Sequence, residues 1–162
     1  MDHATRETLR AFLAQYDTLA IATVDQEQPY VTRVFYVEQP IQDTITLHGT
    51  FITTSRKLAN LRQNPRVGLF IGPSQPTAWL EATALARIIT NEDASAAVCE
   101  RLGHKSAVAA AFIARVPIVA IELQLTWLSL TDVAASPMRI ELTFPAADHT
   151  QEVAPFQEGS GT

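Results

Sequence analysis

Cysteine, grouped histidines and long apolar runs are all scarce in this sequence of 162 residues. Cys99 is the only cysteine, so the chain can form neither an intrachain disulfide nor a cysteine metal cluster. The four histidines are too scattered to indicate metal coordination, and we expect no metal site. No uninterrupted apolar stretch approaches the roughly 20 residues that a membrane-spanning helix needs. The sequence therefore argues against a disulfide scaffold, a zinc site and a helical membrane protein.

Positive charge is also in short supply, with 12 Lys and Arg residues against 17 Asp and Glu residues and a net charge of −5. An acidic chain has no general attraction for nucleic acid or for an anionic membrane, so we expect neither partner. Any anion site must therefore be local. The first ten residues, MDHATRETLR, have neither the apolar region of a signal peptide nor the acid-poor composition of a transit peptide, and we expect a cytoplasmic protein.

Hydrophobic residues are abundant enough for one ordered domain. They make up 47% of the chain, and charged residues make up 18%, which is typical of a globular protein with a substantial core. We expect a single domain over residues 1–144. Residues 145–162 are rich in Pro, Glu, Gly, Ser and Thr and poor in apolar residues, which indicates a loosely ordered C-terminal tail.

Apolar residues that alternate with a period of two predict a mainly β protein with some helices. The predicted strands are 18–24, 30–38, a short one from 45 that turns at Gly49, 66–71, 77–90 and 118–130, with an edge strand at 138–144. The alanines of 77–90 also permit a helix, but the clean separation of its polar residues favours a strand. Helices are predicted at 5–16, 56–63, 91–102 and 105–115, the third ending at Gly103. Six principal strands with short antiparallel connections indicate a small antiparallel barrel.

Two cations stand at the predicted start of the short central helix. Ser55 is a suitable N-cap, and Arg56 and Lys57 follow in the first turn, where the helix dipole disfavours positive charge. Free backbone N–H groups, hydroxyls and two cations in one turn form a suitable phosphate site. The alternative is that both residues are solvated charges on a surface helix.

Arg33 is a further unusual cation, because it shares one face of its predicted strand with Val31, Phe35 and Val37. We expect both faces of this strand to be largely covered. A guanidinium in such surroundings needs a carboxylate, a phosphate or a route to solvent. The alternative is that Arg33 extends to solvent at a sheet edge.

The motif S-R-K-x-x-N-L-x-x-N-P-R-V-x-L over residues 55–69, followed by W-L-E-x-x-A over 79–84, resembles the FMN-binding split-barrel family related to pyridoxamine 5′-phosphate oxidase. The similarity covers roughly residues 9–130. It implies an α+β fold that is mainly β, a six-stranded antiparallel split β-barrel, and a homodimer that binds FMN at the subunit interface. The cofactor-binding residues that it implies are Arg33, Val34, Phe35, Tyr36, His48, Gly49, Thr50, Ser55, Arg56 and Lys57.

Two departures from the family pattern bear on function. Ala82 stands where a glycine commonly follows the glutamate of the long strand, and the arginine–histidine signature of true pyridoxamine phosphate oxidases is missing after Leu130. We therefore expect a flavoprotein that oxidises or reduces an unknown small-molecule substrate, but not a true pyridoxamine 5′-phosphate oxidase. No catalytic residue can be assigned. The alternatives are a non-enzymatic protein that binds or senses flavin or haem, an F420-dependent reductase, and a dimeric barrel without a ligand.

Overall fold

The computed structural model describes residues 1–73 and 77–145. Residues 74–76 and all but the first residue of the predicted tail lie outside the described residues. The described helices are α1 (His3–Ala14), α2 (Arg56–Gln63), α3 (Glu92–Lys105) and α4 (Ala107–Ile113). The described strands are β1 (Thr18–Asp25), β2 (Gln28–Glu38), β3 (Thr46–Ile52), β4 (Arg66–Ile71), β5 (Ala78–Ile88), β6 (Ile118–Asp132) and β7 (Arg139–Thr143). Each predicted element is present in the described ranges.

The first six strands close into an antiparallel barrel. They follow the order β3-β2-β1-β4-β5-β6, and β3 then pairs with β6 to complete the ring. Every neighbouring pair is antiparallel. The strand β7 pairs with β6 outside the ring, as the predicted edge strand. The predicted α+β split-barrel fold is therefore confirmed.

Inward-facing residues of alternate strand positions fill the barrel. The largest fully buried side chains of the strands include Leu19, Ile21, Tyr36, Leu47, Phe51, Ile71 and Leu80. The helix α1 buries Leu9, Phe12 and Leu13 in the same core. Each such side chain contributes about 1.5–3 kcal/mol through its removal from water. The period-two pattern in the sequence thus reflects a real inner and outer surface.

Two local predictions are wrong. The predicted turn at Gly49 is part of β3, because residues 49–52 pair in register with residues 118–121 of β6. Gly103 does not end α3; it lies inside the helix, which continues to Lys105. A Cβ atom at Gly103 would lie 3.4 Å from the Cβ atom of Ala110. The glycine therefore allows α3 and α4 to approach closely.

The barrel wall opens between β2 and β3. These strands pair over only three positions, Tyr36 with Gly49, Val37 with His48 and Glu38 with Leu47. By contrast β1 pairs with β2 from Thr18 to Asp25, and β3 pairs with β6 along its whole length. Beyond Gly49 the two strands diverge. A Cβ atom at Gly49 would lie 2.9 Å from the carbonyl oxygen of Phe35, so only glycine fits at the point of separation.

Candidate functional site

A cleft of about 240 Å³ lies where β2 and β3 separate. The strands β1, β2 and β3 supply most of its wall, and the first turn of α2 and the last turn of α4 complete it. The cleft is lined by Thr18, Arg33, Val34, Phe35, Thr50, Ile52, Lys57 and Phe112. Five of the ten residues predicted for cofactor binding therefore contribute to one cleft, in which polar and cationic groups lie beside apolar side chains.

Both cations of the cleft lack a carboxylate partner. Among the described residues, no Asp or Glu oxygen lies within 4.0 Å of the charged nitrogens of Arg33 or Lys57. Lys57 is half-buried, with its ammonium 5.2 Å from the centroid of the Phe51 ring, and this burial lowers the pKa of Lys57. The two positive charges favour an anion in this cleft.

Arg33 is not buried, contrary to the expectation that both faces of its strand are covered. Its side chain is exposed, and Val31 on the same outer face is 65% exposed. The other face of β2 buries the side chains of Val34 and Tyr36, although Val34 also borders the cleft. The face of β2 that carries Val31 and Arg33 lies outside the barrel wall. The Arg33 side chain therefore reaches the mouth of the cleft while it stays hydrated.

Thr50, which lines the cleft, and Ser55, which lies two residues before Lys57, carry hydroxyl groups without a partner in the described part of the chain. Among the described residues, Thr50 Oγ1 and Ser55 Oγ are buried and make no hydrogen bond. Ser55 has the extended backbone angles of an N-cap, φ −77° and ψ 145°, but its side chain makes no capping bond. A buried hydroxyl without a hydrogen bond lowers the free energy of unfolding by about 1–3 kcal/mol. The N-cap prediction therefore holds for the backbone, and both hydroxyls are available to donate to an acceptor.

Arg56 and Lys57 point in different directions. The Arg56 Nη2 atom lies 3.7 Å from Asp25 Oδ2, and its guanidinium carbon lies 5.2 Å from the centroid of the Tyr30 ring. Arg56 is not among the cleft residues. Consecutive residues of a helix with 3.6 residues per turn are separated by about 100° around its axis, so neighbours in sequence cannot share one direction. The structure brings Lys57, but not Arg56, to the cleft.

His48 lies on β3 in a polar cluster outside the cleft. It is 7% exposed, with Nε2 3.5 Å from Glu122 Oε2 and Nδ1 3.0 Å from Gln39 Nε2. An Nε2–H tautomer satisfies this network, because Nδ1 then accepts from the Gln39 amide. The bond from His48 and the ion pair with Arg87, at 3.0 Å, hold the pKa of Glu122 at about 2. The cluster connects β3 with β6 through Glu122. It also connects β3 with α3, because Arg101 Nη1 lies 3.4 Å from His48 Nδ1.

The side chain of Tyr36 also points away from the cleft. It is fully buried, and its hydroxyl donates to the carbonyl oxygen of Leu13 at 2.8 Å. Burial and the nearby Glu38 raise the pKa of Tyr36 far above its ordinary value. Tyr36 and Gly49 are cross-strand partners at the point where the strands separate, so they shape the cleft through the backbone.

Three cleft residues were not predicted. Ile52 shares the outer face of β3 with Thr50, and Thr18 is the cross-strand partner of Phe35, so period-two alternation and strand register could have indicated both. Phe112 comes from α4, and its ring centroid lies 5.9 Å from that of Phe35 with the two planes inclined at 51°. Nothing in the sequence near Phe112 indicates this contact, because α4 is distant from β2 along the chain.

The described ranges also bear on metal binding and on membrane-spanning helices. Within residues 1–73 and 77–145, no three His, Cys, Asp or Glu side chains lie close enough together to hold a metal ion. The same residues contain no helix that is both long and apolar enough to cross a membrane.

The six strands form one barrel whose wall opens where β2 and β3 separate, and this architecture is that of the split β-barrel proteins. The pyridoxamine 5′-phosphate oxidase family model matches residues 5–135, which is most of the chain. The chain therefore belongs to the pyridoxamine 5′-phosphate oxidase-like family. No curated protein matches its sequence significantly.

Solved structures of similar fold carry several different descriptions. A Clostridium acetobutylicum protein related to general stress protein 26, of the pyridoxinephosphate oxidase family, has a TM-score of 0.66 and 11% identity over 88% of this chain and 96% of its own. HutZ, the haem storage protein from Vibrio cholerae, has a TM-score of 0.60 and 20% identity over 74% of this chain and 88% of its own. A haem binding protein from Mycobacterium smegmatis has a TM-score of 0.65 and 17% identity over 88% of this chain but only 59% of its own. Identities this low establish a shared fold alone.

Proposed function

We propose that this protein is a cytoplasmic FMN-binding oxidoreductase that acts on a small-molecule substrate as a homodimer. The observation that carries the proposal is the cleft between β2 and β3, where Arg33 and Lys57 have no carboxylate partner among the described residues and lie beside an apolar wall. A ligand with one anionic group and one flat apolar ring system suits both parts. FMN has this chemistry, and membership of the family supports it.

The residues at the cleft fit the two parts of FMN. Lys57 and Arg33 would hold the phosphate, and the buried hydroxyls of Thr50 and Ser55 would donate to its oxygens and so gain the partners that they lack. Apolar side chains, Phe35 among them, would cover the ring system. Bound FMN supplies hydride or electron transfer, whereas the chain orients the ring, excludes water and controls the local charge.

A second copy of the chain would complete the cleft. Its volume of about 240 Å³ is below the range of about 300–1,000 Å³ that is usual for small-molecule sites. Large apolar side chains are exposed on the same outer surface, with Val31 65% exposed and Phe70 40% exposed. Arg33 and Phe70 both pair across the sheet with Ala20, so this surface runs up to the cleft. Covering it with a partner would bury these side chains and enclose the ligand.

The first experiment is a visible absorption spectrum of the untagged protein, with mass spectrometry of any released chromophore. We expect flavin bands and released FMN, and size-exclusion chromatography with light scattering should give twice the mass of one chain. A Soret band with released haem would favour haem binding, which the descriptions of two similar structures make the chief alternative. A colourless protein that takes up no added FMN would refute the cofactor assignment.

A second experiment tests the phosphate contact. Lys57→Ala should weaken FMN binding by about 10- to 100-fold, because a hydrogen bond to a charged group contributes about 1.5–3 kcal/mol. Arg62→Ala is the matched control, since Arg62 is an exposed cation in the last turn of the same helix. Arg56→Ala should have a smaller effect than Lys57→Ala because Asp25 already holds Arg56. Equal losses for Lys57→Ala and Arg62→Ala, measured by quenching of flavin fluorescence, would contradict the proposed site.

A third experiment tests the oxidoreductase activity. The FMN-loaded protein should be reduced by a nicotinamide nucleotide or another flavin electron donor and reoxidised by a small oxidant, which stopped-flow absorbance at the flavin bands measures. Tight binding of FMN without reduction by any donor would favour a protein that stores or senses flavin.

A further inference from the structure

The helix α4 is unusual because it carries no charge. Its sequence AVAAAFI runs from Ala107 to Ile113, and Val108 on its outer side is 67% exposed. A surface helix normally presents polar residues to solvent. One side chain of α4, Phe112, lines the cleft instead. The helix therefore supplies a single large aromatic ring to the candidate cofactor site.

The position of α4 is fixed by contacts that lie outside the cleft. Gly103 and Ala110 bring α3 and α4 close together, and Ser106 is the N-cap of α4. The Ser106 hydroxyl also donates to Asp17 Oδ2 at 2.5 Å. Asp17 immediately precedes Thr18, which lines the cleft. The helical pair and the start of β1 are thus joined, which holds the backbone of Phe112 beside the cleft.

Phe112 and Phe35 form a corner of the cleft. Their ring centroids are 5.9 Å apart, within the range of about 4.5–7 Å over which aromatic pairs interact, and their planes are inclined at 51°. Two inclined rings limit the width of a flat ligand that can enter between β2 and β3. We propose that Phe112 is the specificity-determining residue of the cleft, and that it selects a flat ring system of flavin size over the broader haem macrocycle. This inference depends on the proposed function.

The test compares the affinities of the protein for FMN and for haem in wild type, Phe112→Ala and Phe112→Tyr. Fluorescence quenching measures FMN binding and Soret titration measures haem binding. Phe112→Ala should weaken FMN binding about tenfold, since loss of the aromatic contact and of buried ring area together approach the 1.4 kcal/mol that a factor of ten represents. Its affinity for haem should stay constant or rise, so the preference for FMN falls at least tenfold. Phe112→Tyr keeps the ring and should keep the preference.

Val108→Ala is the matched control, because it removes an apolar side chain from the exposed side of the same helix. If Phe112→Ala does not fold, judged by urea denaturation of the ligand-free protein, Phe112→Leu provides the same comparison at a smaller change in volume. A wild-type protein that binds no FMN would refute the proposed function itself. A wild-type protein that binds FMN, with an unchanged preference in Phe112→Ala or Phe112→Leu, would overturn the role of Phe112 alone.

Discussion

Replacing Gly49 with alanine should destabilise the barrel at the point where β2 and β3 separate. The new Cβ atom would lie 2.9 Å from the carbonyl oxygen of Phe35, closer than such atoms approach one another in folded proteins. A backbone carbonyl cannot rotate away as a flexible side chain can. Either β3 shifts or the three paired positions between β2 and β3 separate. Overpacking of this kind costs about 1–3 kcal/mol.

Gly68→Ala is the matched control for this substitution. At Gly68 of β4 the nearest atom to a new Cβ would be the Cβ atom of Ala22 at 3.6 Å, an ordinary contact. Neither glycine has a positive φ angle, so alanine strains the backbone at neither position. Alanine at Gly68 should be neutral or stabilise the fold by about 0.4–1 kcal/mol, because it restricts the unfolded chain.

Urea denaturation followed by far-ultraviolet circular dichroism measures both variants. We expect Gly49→Ala to have a lower transition midpoint than wild type and Gly68→Ala to have an equal or higher one, with similar slopes. The Phe35 carbonyl approaches Gly49, Thr50 follows Gly49 in the chain, and both residues line the cleft, so Gly49→Ala should also weaken FMN binding. Equal midpoints for the two variants would refute the inferred close approach at Gly49.

Three further substitutions test other parts of the structure. Asn60→Ala should lower the free energy of unfolding by about 1–3 kcal/mol, measured in urea, because it leaves the buried Thr23 hydroxyl without the 3.0 Å bond from the Asn60 amide. The Glu122 carboxyl has a pKa of about 2 in the folded protein, below its ordinary value of 4.5, so it stabilises the fold above about pH 4.5 and this contribution disappears as the pH falls towards 2. Glu122→Gln should therefore flatten the dependence of the urea midpoint on pH between 5 and 2. Lys105→Ala should cost about 2–3 kcal/mol, measured in the same way, because it removes the partner of the half-buried Glu38 carboxylate.

Local patterns in the sequence predicted the elements of the fold well. Strands with one buried face carry a period-two signal that depends only on neighbours in the chain, and β5 and β6 were predicted from it nearly to their ends. The closure of the barrel by β3 and β6 is different, because no local pattern specifies which distant strands pair. The turn predicted at Gly49 failed for this reason: its glycine serves a contact with Phe35 rather than a change of chain direction.

The helix end predicted at Gly103 failed in a similar way. Glycine suits the left-handed position after a helix, but it also allows two helices to approach closely, and only the position of Ala110 in the fold distinguishes the two roles. The same limit applies to the site. The sequence indicated Arg33, Arg56 and Lys57 as unusual cations, and the structure brings Arg33 and Lys57 to the cleft but not Arg56. The contribution of Phe112 depends on how α4 packs against β2.

The burial of Lys57 makes it the more informative of the two cations of the cleft. With 17 acidic residues against 12 basic ones, a basic side chain has many available partners. Among the described residues, carboxylates lie within 4.0 Å of the basic side chains of Arg10, Arg56, Arg87, Lys105 and Arg139. Arg33, Lys57 and five other basic residues have no such partner in those ranges, but Lys57 is half-buried, and burial lowers its pKa and so disfavours its charged form. A bound phosphate would stabilise that charged form, so FMN binding should raise the pKa of Lys57, and the affinity for FMN should fall at high pH as Lys57 loses its proton.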